Sequence, residues 1–164
     1  MLVRKADVAQ IGLHMEMEIK SNVIQDVESF KAFCNHLKAA GLPHQDLNFE
    51  KNILIGYYDD DKLIGTGALE IYGPYALLRS LAVNDAVQGR SLGSRITDEL
   101  IDEAKRNDIK AIYLLTESAR LFFKRKGFQD IPRDSAPREV KVSSEFSEVC
   151  SDSAVCMELV LNSN

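Results

Sequence analysis

The stretch from Leu77 to Gly93, LLRSLAVNDAVQGRSLG, constrains this chain more than any other. An apolar run of strand formers, Leu77 to Val83, empties into a short polar link. Gln88-Gly89-Arg90-Ser91-Leu92-Gly93 follows, and then a helical repeat with Leu92, Ile96, Leu100, Ile101 and Ala104 on one face. The pattern predicts strand, small-residue turn and helix. Backbone N–H groups in the first turn of a helix have no partners within it, and the aligned peptide dipoles place about half a positive charge there. Gly89, Ser91 and Gly93 would let that backbone approach a phosphate closely, with Gln88, Arg90, Leu92 and Ser94 completing the cradle. Small residues at a helix start are also ordinary turn chemistry, so the turn alone does not decide between the two.

The rest of the chain supplies a frame for this unit. Residues 1 to 24 are compatible with a strand, a short helix, or one after the other. From Asp26, a plausible N-cap, Val27, Phe30, Cys34, Leu37 and Gly41 recur at helical spacing, and Gly41-Leu42-Pro43 stops the helix. Ile53 to Tyr58 and Leu63 to Tyr72 read as strands joined at an aspartate-rich hairpin tip, and Gly73-Pro74 turns the second into the Leu77 strand. After a helix over 91–106 come a strand over 111–116, a short helix over 118–126 capped by Gly127, and a strand over 128–131. Residues 132 to 149 look polar and irregular, and 154–161 is a closing strand. The expectation is a single domain over 1–164 of α+β class, with a mixed, mostly antiparallel sheet and helices on both faces.

A chain of 164 residues is long enough to bury roughly 70% of its unfolded surface in one core. Its net charge of −5 speaks against nucleic acid or an anionic membrane as a general partner. An anionic ligand therefore needs a local basic patch, for which Arg90, Arg95, Arg120, Lys124, Arg125 and Lys126 are candidates. The charged MLVRKADVAQ start does not read as a signal peptide, and the chain is read as cytoplasmic. Cys34, Cys150 and Cys156 lack zinc-type spacing, and His14, His36 and His44 are scattered, so no metal is expected; His36 is assigned to the solvated side of its helix. The oligomeric state is left open between monomer and homodimer.

With Leu81-Ala82-Val83 before it, the turn resembles the acetyl-CoA signature of the GNAT superfamily of N-acetyltransferases, Gln/Arg-x-x-Gly-x-Gly/Ala. Gln88, Ser91 and Gly93 hold the marked positions. Ser91 departs from the usual glycine, a change that costs little at negative φ. A second marker, Thr116 to Phe128, resembles Asn-x-x-Ala-x-x-Leu-Tyr-x-x-x-Gly-Phe through Ala119, Gly127 and Phe128, with Thr116 for the asparagine and Phe123 for the tyrosine. Within the superfamily, LLRSLAV, YLLT, FFKRKGF, Pro132-Arg133, Ala136-Pro137 and Ser144-Glu145-Phe146 resemble the N-acetyltransferases encoded with arsenic-resistance operons, as does AGLPHQDL. A more distant likeness is to the acetylating domain of N-acetylglutamate synthase.

This resemblance implies direct attack of an amine on the acetyl-CoA thioester. It implies a backbone N–H at Leu81 for the oxyanion, with Ala82 and Val83 along the pantetheine and Thr116, Ala119 and Phe123 beside the cofactor. The glutamate that many relatives carry on this strand falls here on Leu77. A tight turn at Gly73-Pro74 pairs Tyr72 with Tyr75 and Glu70 with Leu77, so Glu70 can replace it as base; the alternative is an outward-facing strand glutamate. Strict alternation puts Arg79 on the side of Glu70 and Leu81, where it could grip the acid group of an anionic acceptor, or pair with Glu70 and hold no ligand. Arg133 is a second candidate for the acceptor. With no tyrosine at Phe123, the leaving thiolate takes its proton from water, Ser118 or the acceptor. Two other classes remain: a soft-metal sensor built on the cysteines, and an acetyl-CoA-binding domain without turnover.

Overall fold

The computed structural model describes residues 18–87, 91–149 and 152–161. Expectations for residues 1–17, for Gln88, Gly89 and Arg90, and for Cys150 lie outside the described residues.

Seven strands form one sheet in the order β1-β2-β3-β4-β5-β7-β6: β1 (Ile19–Val23), β2 (Ile53–Asp59), β3 (Lys62–Tyr72), β4 (Tyr75–Val83), β5 (Ala111–Thr116), β6 (Gln129–Ile131) and β7 (Val155–Val160). Every pairing is antiparallel except β4 with β5. Helix α1 (Val27–Ala39) precedes β2, α2 (Leu92–Arg106) makes the crossover to β5, and α3 (Arg120–Arg125) and α4 (Arg138–Lys141) follow. The expected α+β sheet with helices on both faces is present. No helix of the described residues is long and apolar enough to cross a membrane.

Asp26 caps α1 by accepting a bond from the Ser29 N–H at 2.8 Å. The face of α1 is rotated from the expected one. Phe33 and Leu37 are its buried residues, whereas Val27 is exposed, because at 100° per residue Val27 lies about 80° around the helix from Leu37. His36 is half-buried rather than solvated, with its Nδ1 buried and unpartnered and burial lowering its basicity.

Helix α2 buries Leu92, Ile96, Thr97, Leu100 and Ala104 against the opposite face of the sheet. Its close seat depends on Gly67 of β3, where an added Cβ would lie 2.7 Å from Ile96 Cγ2 and 2.8 Å from Leu100 Cδ1. Glu99 ties the same helix to the sheet by accepting 2.8 Å bonds from Tyr57 and Ser21.

Residues 132–149 depart most from their reading as an irregular stretch. They form a 3-10 turn over 133–135, α4, and a π-helical turn over 145–149. Ala136, Val140 and Phe146 pack with Leu77, Tyr113 and Cys156, so the segment covers the α1 face of the sheet beside β4 and β5.

Candidate active site

Two backbone features of β4 create the site. The first is its separation from β5. The parallel ladder holds only Tyr75↔Ala111, Ala76↔Ile112 and Leu77↔Tyr113. Beyond it, Leu78–Leu81 and Leu114–Ala119 line the two sides of a cavity of about 460 Å³. The β5-facing backbone edge of β4 is thereby released from its strand partner, which is what a ligand needs if it is to lie beside the strand and bond its N–H groups.

The second feature is a bulge. The β3–β4 register runs Ala68↔Arg79 and then Thr66↔Ala82, so Ser80 and Leu81 together oppose Gly67. Ser80 has φ 61°, and its carbonyl accepts a 2.8 Å bond from the Thr66 hydroxyl. The extra residue breaks the expected alternation. Leu78 and Leu81 pack on the α2 side, whereas Ala82 joins Leu54 and Ala68 on the α1 side, with Arg79, the partner of Ala68. The expectation that Arg79 and Leu81 share a face is therefore wrong. Ala82 also presents its side chain to the core rather than to either cavity.

On the α2 side a second cavity, of about 850 Å³, is bounded by Leu81, Val83, Val87, Ser91, Leu92, Gly93, Ser94, Ala119 and Phe122, with Arg125 and Lys126 at its rim. Leu81 and Ala119 border both cavities, and thus mark where one leads to the other. Coenzyme A suits this chamber: the first turn of α2 and two cations face it, and among the described residues an added Cβ at Gly93 would meet only Val83 Cγ2 at 3.9 Å, leaving the backbone open to a phosphate. Ser91 takes φ 61°, the left-handed conformation that a glycine would adopt without strain, so its substitution is not the costless one expected. The basic patch is smaller than anticipated. Arg120 and Lys124 pair with Asp130, Lys126 pairs with Asp98 at 2.8 Å, and Arg95 donates to the Ile19 carbonyl at 3.1 Å.

The smaller cavity carries the polar chemistry. Arg79, with its side chain 1% exposed, faces three carboxylates. Its terminal nitrogens donate to both oxygens of Asp46, Nη2 to Oδ1 at 2.9 Å; Nη1 also reaches Glu70 Oε1 at 3.1 Å, and Nε lies 3.4 Å from Glu145 Oε1. Burial works to lower the basicity of Arg79, but the three acids outweigh it and hold the guanidinium charged. Burial pushes Glu70 above the usual carboxylate range against the pull of Arg79. Burial also works to raise Asp46, yet the bonds and charge of Arg79 hold it below its ordinary value. Tyr72, half-buried beside Glu70, is pushed up to about 12 by burial and by that carboxylate, and stays a neutral hydroxyl.

Thr116, Ser118, Ala119 and Phe123 border this cavity with Arg79 and Leu81, whereas Glu70 and Arg133 do not. Thr116 Oγ1 accepts the Ala119 N–H at 3.0 Å and so shapes the turn into α3. Phe123 packs edge-on against Phe122 and Phe128 and brings no hydroxyl. Arg133 donates to the Phe146 carbonyl at 2.8 Å and lies over the Phe146 ring, which makes it a clamp on the π-helical turn. Asp46, Glu117 and Glu145 are the acids that the sequence reading left unassigned. Among the described residues no group of His, Cys, Asp or Glu could hold a metal ion. Cys34 and Cys156 lie outside the cavity linings, and burial raises both thiols, that of Cys156 to about 11.

Residues 23–128 match the model of the acetyltransferase (GNAT) family. An amino-acid acetyltransferase of Mycobacterium tuberculosis is 31% identical over 90 residues, which are 54% of this chain and 48% of that protein. The chain thus spans about half the length of the curated relative it matches. N-acetylglutamate synthase from Neisseria gonorrhoeae, solved with coenzyme A and N-acetyl-glutamate, superposes with a TM-score of 0.71 at 19% identity, covering 90% of this chain and 36% of that one. Tetrahymena GCN5 gives 0.70 at 18% identity, covering 88% and 98%. These two likenesses concern the fold.

Proposed function

The chain belongs to the acetyltransferase (GNAT) family, and from that premise we propose that it transfers the acetyl group of acetyl-CoA to the amine of a small amino-acid-like acceptor. The observation that carries this reading is the opening of β4 from β5, bordered on one side by the α2 turn and on the other by Arg79 and its acids. The pantetheine lies along the freed edge of β4, its pyrophosphate meets the first turn of α2 with Arg125 and Lys126, and the thioester reaches Leu81, whose N–H receives the oxyanion.

The acceptor enters the Arg79 side. Its anionic group reaches the guanidinium by displacing Asp46, which belongs to the 40–52 connection between α1 and β2 and is 20% exposed. Glu70, bonded behind Arg79 and outside the cavity lining, orients that fork and relays protons through water. Ser118 borders the place where the thiolate leaves. An arsenic-bearing amino acid is among the acceptors that the motifs favour.

The test is release of free coenzyme A thiol from acetyl-CoA with amino acids, phosphinothricin-like compounds, arsenic-bearing amino acids and polyamines. The reading expects amino acids carrying a second anionic group to lead. Polyamines as the best acceptors would overturn the anionic assignment, and coenzyme A binding without turnover on any amine would leave a binding domain.

A further inference from the structure

On the reading of this chain as an amine acetyltransferase, we propose that Glu145 receives the acceptor's ammonium group and takes its first proton. Among the three acids around Arg79, Glu145 alone borders the cavity that Leu81, Thr116 and Ser118 share. Asp46 bonds the outer nitrogens of the guanidinium from outside that lining and gives them up when the acceptor's acid group arrives, and Glu70 sits behind the fork.

Glu145 is also held in position. Arg133 grips the next residue through the Phe146 carbonyl at 2.8 Å, and the Ser147 hydroxyl donates to the Ser143 carbonyl at 2.9 Å. Arg79 Nε lies 3.4 Å away as an ion-pair neighbour without a hydrogen bond, and the Glu145 side chain is 8% exposed. A group fixed in this way loses little conformational entropy when its partner arrives.

Charge argues the same way. One guanidinium faces three carboxylates, and Glu117 borders the same cavity. Acids outnumber the guanidinium around this cavity, and an incoming ammonium offsets the excess in a place where water screens it poorly. A zwitterionic amino acid satisfies both halves of the site, its acid on the Arg79 fork and its amine at Glu145.

The steps balance. The ammonium gives one proton to the Glu145 carboxylate, and the freed lone pair forms a C–N bond at the thioester carbon as the carbonyl π pair moves to oxygen. The oxygen pair returns, the C–S bond breaks with its electrons on sulfur, and the protonated nitrogen gives a second proton to the thiolate. The products are the amide and coenzyme A thiol; the proton on Glu145 passes to solvent.

The experiment measures steady-state kinetics of Glu145→Gln and Glu70→Gln against the wild type, with acetyl-CoA affinity measured separately. Glu145→Gln should lower kcat by roughly 10²-fold or more, raise the acceptor KM and leave acetyl-CoA affinity within about twofold. The acidic limb of its pH–rate profile should vanish while that of Glu70→Gln persists, with Arg79 and Glu70 as the charged groups that interact with Glu145 and Glu117 bordering the same cavity. If Glu145→Gln does not fold, Glu145→Asp keeps the charge but withdraws it, and a fall in kcat with the limb retained supports the role. Wild-type kcat in either Glu145 variant, or loss of the limb in Glu70→Gln alone, overturns it. A wild type that turns over no amine defeats the acetyltransferase reading itself, and the role of Glu145 with it.

Discussion

Arg79 and Leu81 stand two residues apart on β4 yet face opposite sides of the sheet, because Ser80 between them turns through the left-handed region and forms a bulge against Gly67. Without that extra residue both side chains would point the same way. With it, Leu81 meets the chamber at the first turn of α2, and Arg79 meets the acids on the far side. The strand thereby divides the two cavities, which the proposed function assigns to cofactor and acceptor, and the gap to β5 borders both.

Arg79 pairs with three acids, and its removal should be felt first in folding. Arg79→Met should cost about 3–5 kcal/mol at pH 7 by leaving buried carboxylates without a counter-ion. The sign with pH follows from the individual groups. Glu70, already raised above its ordinary value of 4.5, contributes stability that is full below that value and lost as pH rises through its folded value. Asp46, lowered below 3.8 by Arg79, contributes stability to the wild type that is lost as pH falls through its folded value, and the variant lacks that contribution. In the variant the pull of Arg79 on Glu70 and Asp46 is gone, so both carboxyls sit higher in the folded protein and gain more stability on protonation than they do in the wild type; the deficit of Arg79→Met should therefore shrink on acidification from pH 7 toward 4. Urea unfolding across that range checks it, and a constant deficit would contradict the burial argument.

Gly93→Val isolates the cofactor side. The position has room for a Cβ, so the variant should fold with stability within about 1 kcal/mol of the wild type. Its side chain would project where the phosphates approach, and the acetyl-CoA dissociation constant should rise at least tenfold, about 1.4 kcal/mol. Calorimetric titration that finds unchanged affinity would move the pyrophosphate elsewhere.

Ser91→Gly tests the conformation rather than the ligand. A non-glycine residue held near φ 61° carries a strain of about 1–2 kcal/mol, and glycine removes it at the expense of a freer unfolded chain. The net expectation is a gain of about 0.5–1 kcal/mol in unfolding free energy. A loss of stability in denaturant titration would contradict the strain.

These particulars show which parts of the fold the chain declares locally. The Gly73-Pro74 turn fixes Tyr72↔Tyr75 and with it Glu70↔Leu77, and both pairings are present. The helical repeat after Ser91 and the Asp26 cap are likewise short-range signals and appear where expected. The bulge has no such signal, since a serine at positive φ looks like any strand serine. Asp46 meets Arg79 across 33 residues, a partnership that no local pattern encodes. Glu145 lay in a stretch whose buried residues, Ala136, Val140 and Phe146, follow neither helical nor strand periodicity for long enough to be read. The acceptor side was thus the less legible half, because it is assembled from loops and long-range contacts.

The central claim is direct transfer from the thioester to the amine within the gap between β4 and β5. A rapid-quench single turnover measures it: protein saturated with acetyl-CoA is mixed with the acceptor, and free thiol, acetylated acceptor and protein mass are followed together. Thiol and amide should appear at one rate, with no thiol released before acceptor is added and no acetyl group on the protein. Thiol release without acceptor, or an acetylated protein that forms before the amide, would contradict the account.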